Sequence, residues 1–375
     1  MPKRNVLILN HSYKSPFKEL DVQYAKLFHP DRFTVTIAYL TGGADSEEVV
    51  FSSPYDTIFL NLRKKDIRRF KVRAIRKVRA LCEERNVTVS ICHRYKPTYI
   101  MAWVARSCRI PCLISVMHDF RTLNRLSHKL FVYWRLRHQF VFAGVSDAVR
   151  DDIYRDGWGL RRDQVITLPN SIDLPEVEAR QLDRETARRQ LNLPEDAFVL
   201  GTVGRLHPAK DHLTLINAMA LAACGRPSIR LVIIGSGPLE KSLQEEIQRH
   251  HLDKHIELKG FIPEASRLMR AFDVYVSSSG KEPFGMVLLE AMAAGLPIIA
   301  TAVDGVPQVM GDCGCLVPAG DAQALAEAIT AYSKKPSSEL SDLGRVSRQR
   351  LLNHYTTEHF RDTFWELFSA RGLLP

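Results

Sequence analysis

Two glutamates eight positions apart, Glu282 and Glu290, bracket the run Phe284-Gly285-Met286-Val287-Leu288-Leu289, in which a glycine turn passes directly into an apolar helical stretch. A helix starting there leaves the N–H groups near Gly285, Met286 and Val287 without intrahelical acceptors, and its dipole favours an anion. A phosphate suits that position. Ionised carboxylates only accept hydrogen bonds, so the two flanking glutamates suit vicinal hydroxyls of the kind sugars carry. The plain alternative, a solvated loop acid and a surface helix acid, fits Glu290 poorly, because residues 286–294 are otherwise apolar. A second group, Gly201-Thr202-Val203-Gly204-Arg205-Leu206-His207-Pro208-Ala209-Lys210, runs from a strand into a loop with two fixed cations five positions apart. Arg205 and Lys210 together suit a diphosphate, the task a divalent metal performs elsewhere, and no metal site is expected. The alternative there is a salt-bridged surface loop. Gly235, in Ile234-Gly235-Ser236-Gly237-Pro238, marks another glycine-rich strand exit, a weak signal by itself.

These residues fall at the ends of short β-branched runs that alternate with helical stretches. Strands are predicted at 6–9, 33–40, 57–60, 87–92, 112–117 and 140–145, and again at 198–203, 230–234, 256–258, 274–277 and 298–300. That rhythm predicts an α/β protein of two doubly wound parallel sheets, each binding at the carboxyl ends of its strands. Length agrees, since 375 residues exceed the roughly 250–300 at which one core stops growing. The expected domains are 1–172 and 173–356, joined through a polar, acidic connection at 172–197. Residues 357–375, with Phe360, Phe364, Leu367 and Phe368 on one face, are expected to form a helix crossing back to the first domain.

Composition is that of a globular chain, with 45% hydrophobic and 25% charged residues, which argues against disorder, collagen-like repeats and disulfide scaffolds. Seven cysteines form no CxxC pair and fit a reducing, cytoplasmic compartment. The N-terminal apolar run is too short for a signal peptide, and the longest apolar stretch, 286–303, is broken by Glu290, Gly295 and Pro297, so no membrane span is expected. Charge is lopsided: residues 1–170 hold 30 Lys and Arg against 16 Asp and Glu, the remainder 22 against 26. A surface of one sign gathers partners of the other, so the first domain is expected to meet something anionic. Most of the excess lies from Arg63 to Arg79, where ten of seventeen residues are basic and Ile67, Phe70, Ala74, Ile75 and Val78 follow helical spacing. An amphipathic helix with a cationic face is expected there.

The segment EPFGMVLLEAMAAGLP resembles the E-x7-E signature of retaining glycosyltransferases of family 4, also called glycosyl transferases group 1, and GTVGRLHPAKD resembles their G-R-L-x-x-x-K-G element. IIGSGP, LPNSID at 168–173 and GVSD at 144–147 follow in the family's order. The resemblance covers most of residues 110–320. It implies a GT-B fold, two Rossmann-like domains facing across a cleft, with a nucleotide sugar on the second domain and an acceptor on the first. It implies that Arg205 and Lys210 bind the diphosphate and Glu290 the ribose, that Glu282 and the backbone of Phe284, Gly285, Met286 and Val287 hold the transferred sugar, and that residues near Phe261 and Ile262 meet the base. It also implies that His118, at a strand's carboxyl end in VMHDF, faces the donor sugar. The donor is then a co-substrate, UDP-sugar favoured, with no resident cofactor.

Two departures stand out. The family's glycine-rich loop after strand one is replaced by Asn10-His11-Ser12-Tyr13-Lys14-Ser15-Pro16-Phe17, in which the Lys14 side chain is a candidate to replace main-chain phosphate contacts, and Asp211 stands where a glycine follows the motif lysine. The turn His93-Arg94-Tyr95-Lys96-Pro97 resembles that of transferases building bacterial lipopolysaccharide core, making Arg94 and Lys96 candidates for an acceptor phosphate. The expected acceptor is an anionic glycan or glycolipid. The expected location is the cytoplasm, peripheral on the inner face of the cytoplasmic membrane through the basic helix from Arg63 to Arg79, aided by the basic, aromatic stretch 128–138. A nucleotide-sugar epimerase of the same architecture and a basic nucleic-acid-binding protein are the rival readings; no recognisable nucleic-acid module is present, so no nucleic acid is expected.

Overall fold

The computed structural model describes residues 3–13, 18–42, 54–68, 71–223 and 228–374. It divides into two units, Met1–Ser171 with Thr357–Pro375, and Ile172–Thr356. The first unit carries β1 (Arg4–Ser12), β2 (Phe33–Thr41), β3 (Asp56–Phe59), β4 (Val87–His93), β5 (Cys112–Met117), β6 (Val141–Gly144) and β7 (Val165–Thr167), all parallel, in the order β3-β2-β1-β4-β5-β6-β7. The second carries β8 (Phe198–Val203), β9 (Ile229–Ile234), β10 (Ile256–Leu258), β11 (Val274–Ser277), β12 (Ile298–Thr301) and β13 (Cys315–Val317), in the order β10-β9-β8-β11-β12-β13. Both sheets reverse direction of growth once, between β1 and β4 and between β8 and β11. A doubly wound sheet opens a crevice at that point, outside the strands' carboxyl ends.

Central strands covered by helices on both faces read as continuous apolar runs, which is why β1, β5, β9 and β12 were visible in the sequence; Leu7, Ile8 and Leu9 of β1 are fully buried. The edge strands β7 and β13 were not predicted. They are three residues each, and Leu316 in β13 is exposed.

The expected helix from Arg63 to Arg79 is corrected. Residues 64–67 form a turn, Arg69 and Phe70 lie outside the described residues, and the helix runs Val72–Glu84. Lys71, directly before the helix, sits at φ 52°, a left-handed conformation that a helix interior cannot contain. The helix buries Ala74, Val78, Leu81 and Cys82, and Arg73, Arg76 and Arg79 are exposed. The basic stretch 128–138 is likewise two pieces, an α-helix over Leu126–Trp134 and a 3₁₀ turn over Leu136–His138.

The connection at 172–197 belongs to the second unit. Arg188, only 3% exposed, donates to the carbonyls of Ala271 (3.0 Å), Pro194 (3.0 Å), Glu195 (2.6 Å) and Ala197 (3.1 Å) and pairs with Asp273 (2.8 Å). A buried guanidinium is tolerated when its donors are all met, and here they stitch the segment to the sheet. The last helix, Thr357–Ser369, buries Phe360, Phe364 and Phe368 within the first unit, and the Trp365 indole N–H donates to the Leu27 carbonyl at 2.8 Å.

Candidate active site

The second sheet's reversal point brings together the two strongest sequence groups. Beyond β8 the chain leaves through Gly204 and Arg205 into a 3₁₀ turn, Pro208–Lys210; beyond β11 it runs through Ser278, Ser279 and Gly280 to Glu282. The two loops are tied by their main chains. Gly280 N and Lys281 N both donate to the Ala209 carbonyl, at 3.0 and 3.1 Å, and Ser278 Oγ donates to the Lys210 carbonyl at 3.0 Å. At their junction the Lys210 ammonium pairs with the Glu282 carboxylate, both side chains partly buried. Glu282 is further fixed by Ser279 Oγ at 3.4 Å, and its N–H donates to Asp304 Oδ2 at 2.9 Å. Arg205 is exposed at the end of β8, so the two motif cations differ in setting: one is locked to an acid, the other projects to solvent.

Asp211, where the family carries glycine, sits at φ 46°, a conformation that favours glycine and that aspartate tolerates. Its carboxylate caps the helix His212–Ala222, accepting from Thr214 N at 3.3 Å and Thr214 Oγ1 at 2.7 Å. The departure therefore exchanges backbone freedom for a side-chain cap. His212, 2% exposed beneath it, is pushed down to about 4 by burial and then by the Lys210 charge, and is neutral near pH 7.

The helix Met286–Ala293 starts from Gly285 at φ 94°, with no capping side chain, so the first-turn N–H groups of Met286 and Val287 lack an intrahelical partner. Phe284 contributes only its main chain to this turn; its ring is buried against Tyr355, centroids 5.8 Å apart. Glu290 is half-buried on the same helix. The buried Tyr275 phenol, whose pKa is raised first by burial, is raised further by the Glu290 and Glu282 charges.

At the exits of β8, β9 and β10, a Cβ on Gly235 would lie 1.8 Å from the Gly204 carbonyl oxygen, and Gly235 N donates to the Gly260 carbonyl at 2.8 Å. Glycine at 235 is thus required by close approach of two loops. Next to Gly260, Phe261 is 72% exposed and Ile262 half-buried.

His118 belongs to the first unit, whereas Glu282, Glu290, Arg205 and Lys210 belong to the second. His118 follows β5 and is 8% exposed; its Nε2 shares a 2.8 Å hydrogen bond with Nδ1 of His93, and the rings stack at 5.1 Å. Behind them Asp21 Oδ1 lies 3.8 Å from His93 Nε2, and the Asp21 carboxyl accepts from Asn10 Nδ2 (2.8 and 3.0 Å) and from the Tyr39 hydroxyl (2.9 Å). Burial keeps both histidines neutral, His93 pushed down to about 3 and His118 well below its ordinary value, and raises Asp21 to about 7. Sequence reasoning found His118 but missed Asp21, Asn10 and Tyr39, and in the second unit Asp304. The available signal was polar residues closing apolar strands, as Asn10 closes the apolar run of β1. Lys14 lies outside the described residues.

Residues 183–350 match the family model described as Glycosyl transferases group 1, and the second unit is a group 1 glycosyltransferase domain. Among curated relatives, the chain is 27% identical over 288 residues to the lipopolysaccharide core biosynthesis glycosyltransferase LpsE of Rhizobium meliloti, covering 74% of this chain and 77% of that protein. It is 32% identical over 225 residues to a D-inositol 3-phosphate glycosyltransferase of Saccharomonospora viridis, a match spanning 56% of this chain and 51% of the relative. The fold is that of Anabaena Alr3699/HepE, solved in complex with UDP, with a TM-score of 0.81 at 20% identity over 98% of this chain and 100% of that one. The α/β, GT-B fold class expected from the sequence is therefore the one observed.

Proposed function

We propose that the chain is a retaining hexosyltransferase that takes a hexose from a nucleotide-diphosphate sugar, UDP-sugar favoured, and transfers it to a phosphorylated or lipid-linked glycan, in lipopolysaccharide core or other cell-surface glycan synthesis. The observation that carries this reading is the convergence of Lys210, Glu282 and the uncapped start of helix Met286–Ala293 at the reversal point of the second sheet. Breaking the bond between anomeric carbon and phosphate leaves a diphosphate and an oxocarbenium-like carbon. Fixed cations and N–H groups aimed at the leaving group stabilise that charge without a resident metal or cofactor. In this reading Lys210 and Arg205 take the phosphates, Met286 and Val287 N–H groups the anionic oxygens, Glu290 the ribose and Glu282 the sugar hydroxyls. Gly235 lets the β9 loop pass, and Phe261 and Ile262 flank the base. His118, neutral, supplies a hydrogen bond to the sugar. The acceptor attacks from the face the diphosphate leaves, a phosphate oxygen takes its proton, and configuration is retained.

The names of two relatives support the acceptor class, one acting in lipopolysaccharide core synthesis and one on an inositol phosphate. Peripheral attachment to an anionic membrane at the cytoplasmic face is part of the proposal. It rests on the exposed basic face of helix Val72–Glu84 and on Leu126 (61% exposed), Leu130 (51%) and Trp134 (79%), flanked by cations such as Arg137. Each Lys or Arg near such a surface adds roughly 1 kcal/mol. No described helix is long and apolar enough to cross a membrane. The test is transfer from a UDP-α-hexose to core oligosaccharide, followed by NMR of the new anomeric proton. An α product is expected; a β product contradicts retention, and no transfer with any donor contradicts the reaction.

A further inference from the structure

The first unit has its own cavity, of about 620 Å³, at the reversal point of its sheet. His11 at the carboxyl end of β1, Arg94 and Lys96 after β4, and His118 and Asp119 after β5 line it, so it occupies the position where a doubly wound sheet binds ligands. Its lining holds six cationic side chains, Arg68, Lys71, Arg94, Lys96, Arg121 and Arg125, against one carboxylate, Asp119. The cations crowd one another: Arg68 depresses the Lys96 pKa after burial does, Lys96 does the same to Lys71, and Lys96 and Arg94 help push His11 down to about 4.

Burial lowers the Arg94 pKa against the opposite charges of Asp119 and Asp21, and the backbone fixes the cationic group in place. Arg94 stands at φ 71°, ψ 169°, a region populated almost only by glycine, and its N–H donates to the Val116 carbonyl at 2.8 Å. Thr98 Oγ1 clamps the same turn, donating to the Arg94 carbonyl at 2.9 Å. Lys71 and Arg121 also sit at positive φ, 52° and 58°, and Arg121 N donates to Asp152 Oδ2 at 2.7 Å. Lys71 Nζ lies 3.9 Å from the Tyr99 ring centroid, and His128 stacks on Tyr95 at 3.7 Å, giving the cavity an aromatic wall beside its cations.

We infer that this cavity binds a sugar carrying two phosphate groups, guanidinium forks taking the phosphates and the Tyr95–His128 stack taking the sugar's apolar face. The inference names the acceptor's recognition element and in that respect rests on the transferase reading, although the binding event is separate from it. A volume of this size accommodates a phosphorylated monosaccharide, within the ~300–1,000 Å³ common for small-molecule sites. Six cations against one acid favour a bisphosphate over a monophosphate and make binding steeply salt-dependent. The same phosphate chemistry occurs on lipid headgroups, and vesicles separate that source from a soluble sugar.

The test is calorimetric titration of the full chain with fructose 1,6-bisphosphate, glucose 6-phosphate and glucose, at low and moderate salt, for wild type and Lys96→Gln/Arg125→Gln. The bisphosphate is expected to bind at least tenfold more tightly than the monophosphate, glucose not at all, and the double variant to lose tenfold or more. UDP affinity is expected to be unchanged in that variant and reduced in Glu290→Ala, so failure at the cavity is distinguishable from failure of the donor site. Equal binding of all three sugars, or bisphosphate binding indifferent to the double variant, overturns the inference. So does binding, sensitive to the double variant, only to vesicles containing phosphatidylglycerol and not to the free sugar phosphates, which would make the partner a lipid headgroup.

Discussion

Lys210 and Glu282, seventy-two positions apart, form an ion pair where β8 and β11 end side by side. The pair makes one acid and one base share a fixed geometry before any anion arrives. Ser279 and the Asp304 contact to the Glu282 N–H hold the acid from the other side. In the proposed function the Lys210 ammonium takes the diphosphate and Glu282 the sugar hydroxyls.

Replacing Lys210 by Ala removes the ammonium and leaves a partly buried carboxylate without its main partner. Charge-assisted hydrogen bonds are worth about 1.5–3 kcal/mol, so nucleotide-diphosphate affinity is expected to fall roughly 10- to 100-fold. Calorimetry on Lys210→Ala checks this, and a Glu282→Gln variant that keeps nucleotide affinity while losing transfer would assign the two roles separately.

Gly235→Ala drives a methyl group into the Gly204 carbonyl oxygen at 1.8 Å, an obstacle made of backbone. The β8 and β9 exits must separate, and destabilisation of about 2 kcal/mol or more is expected, read as a lower midpoint in urea. Gly260→Ala, with no heavy atom within 4 Å of its Cβ but φ 66°, is expected to cost less, about 1 kcal/mol.

Asp211 gives a prediction that separates cap from conformation. Asp211→Gly loses the Thr214 contacts but gains a residue at ease at φ 46°, and is expected to change stability by only a few tenths of a kcal/mol. Asp211→Ala loses both and is expected to cost about 2 kcal/mol. Paired thermal denaturation curves decide it.

Much of this was legible in the sequence because it depends on local pattern. The strands β5, β8, β10 and β11 have the predicted limits, and β5, β8 and β11 are short, largely apolar runs closed by polar or turn-forming residues. The second site was legible too, because Gly285, Glu290, Arg205 and Lys210 lie in two contiguous segments. What the sequence hid was long-range. Arg188 looks like a surface charge in an acidic linker until the sheet brings Ala271 and Asp273 to it. The six cations of the first cavity lie on three separated segments that only the sheet order assembles, and the run from Arg63 to Arg79 looked helical because its spacing allowed it while the left-handed conformation of Lys71 left no trace in that spacing.

His212 supplies a pH dependence. Its folded pKa of about 4 lies below the ordinary 6.5, so between these values the unfolded chain binds the extra proton. Stability from this group is fully present above about pH 6.5 and is lost as pH falls toward 4, by up to about 3 kcal/mol. His212→Gln is expected to flatten the melting temperature across that window, and an unchanged slope would show that His212 has the same pKa in the folded and unfolded chains.

The most direct test of the central claim is thermal unfolding of the full chain with UDP, GDP, ADP and their sugars, beside Glu290→Ala. A nucleotide at 100 times its dissociation constant adds about 2.7 kcal/mol, a shift of several degrees. Selective stabilisation by one nucleotide, UDP foremost, that shrinks in the variant is the predicted result. Equal or absent shifts with every nucleotide, or a selective shift untouched by Glu290→Ala, would contradict a donor site at the ends of β8 and β11.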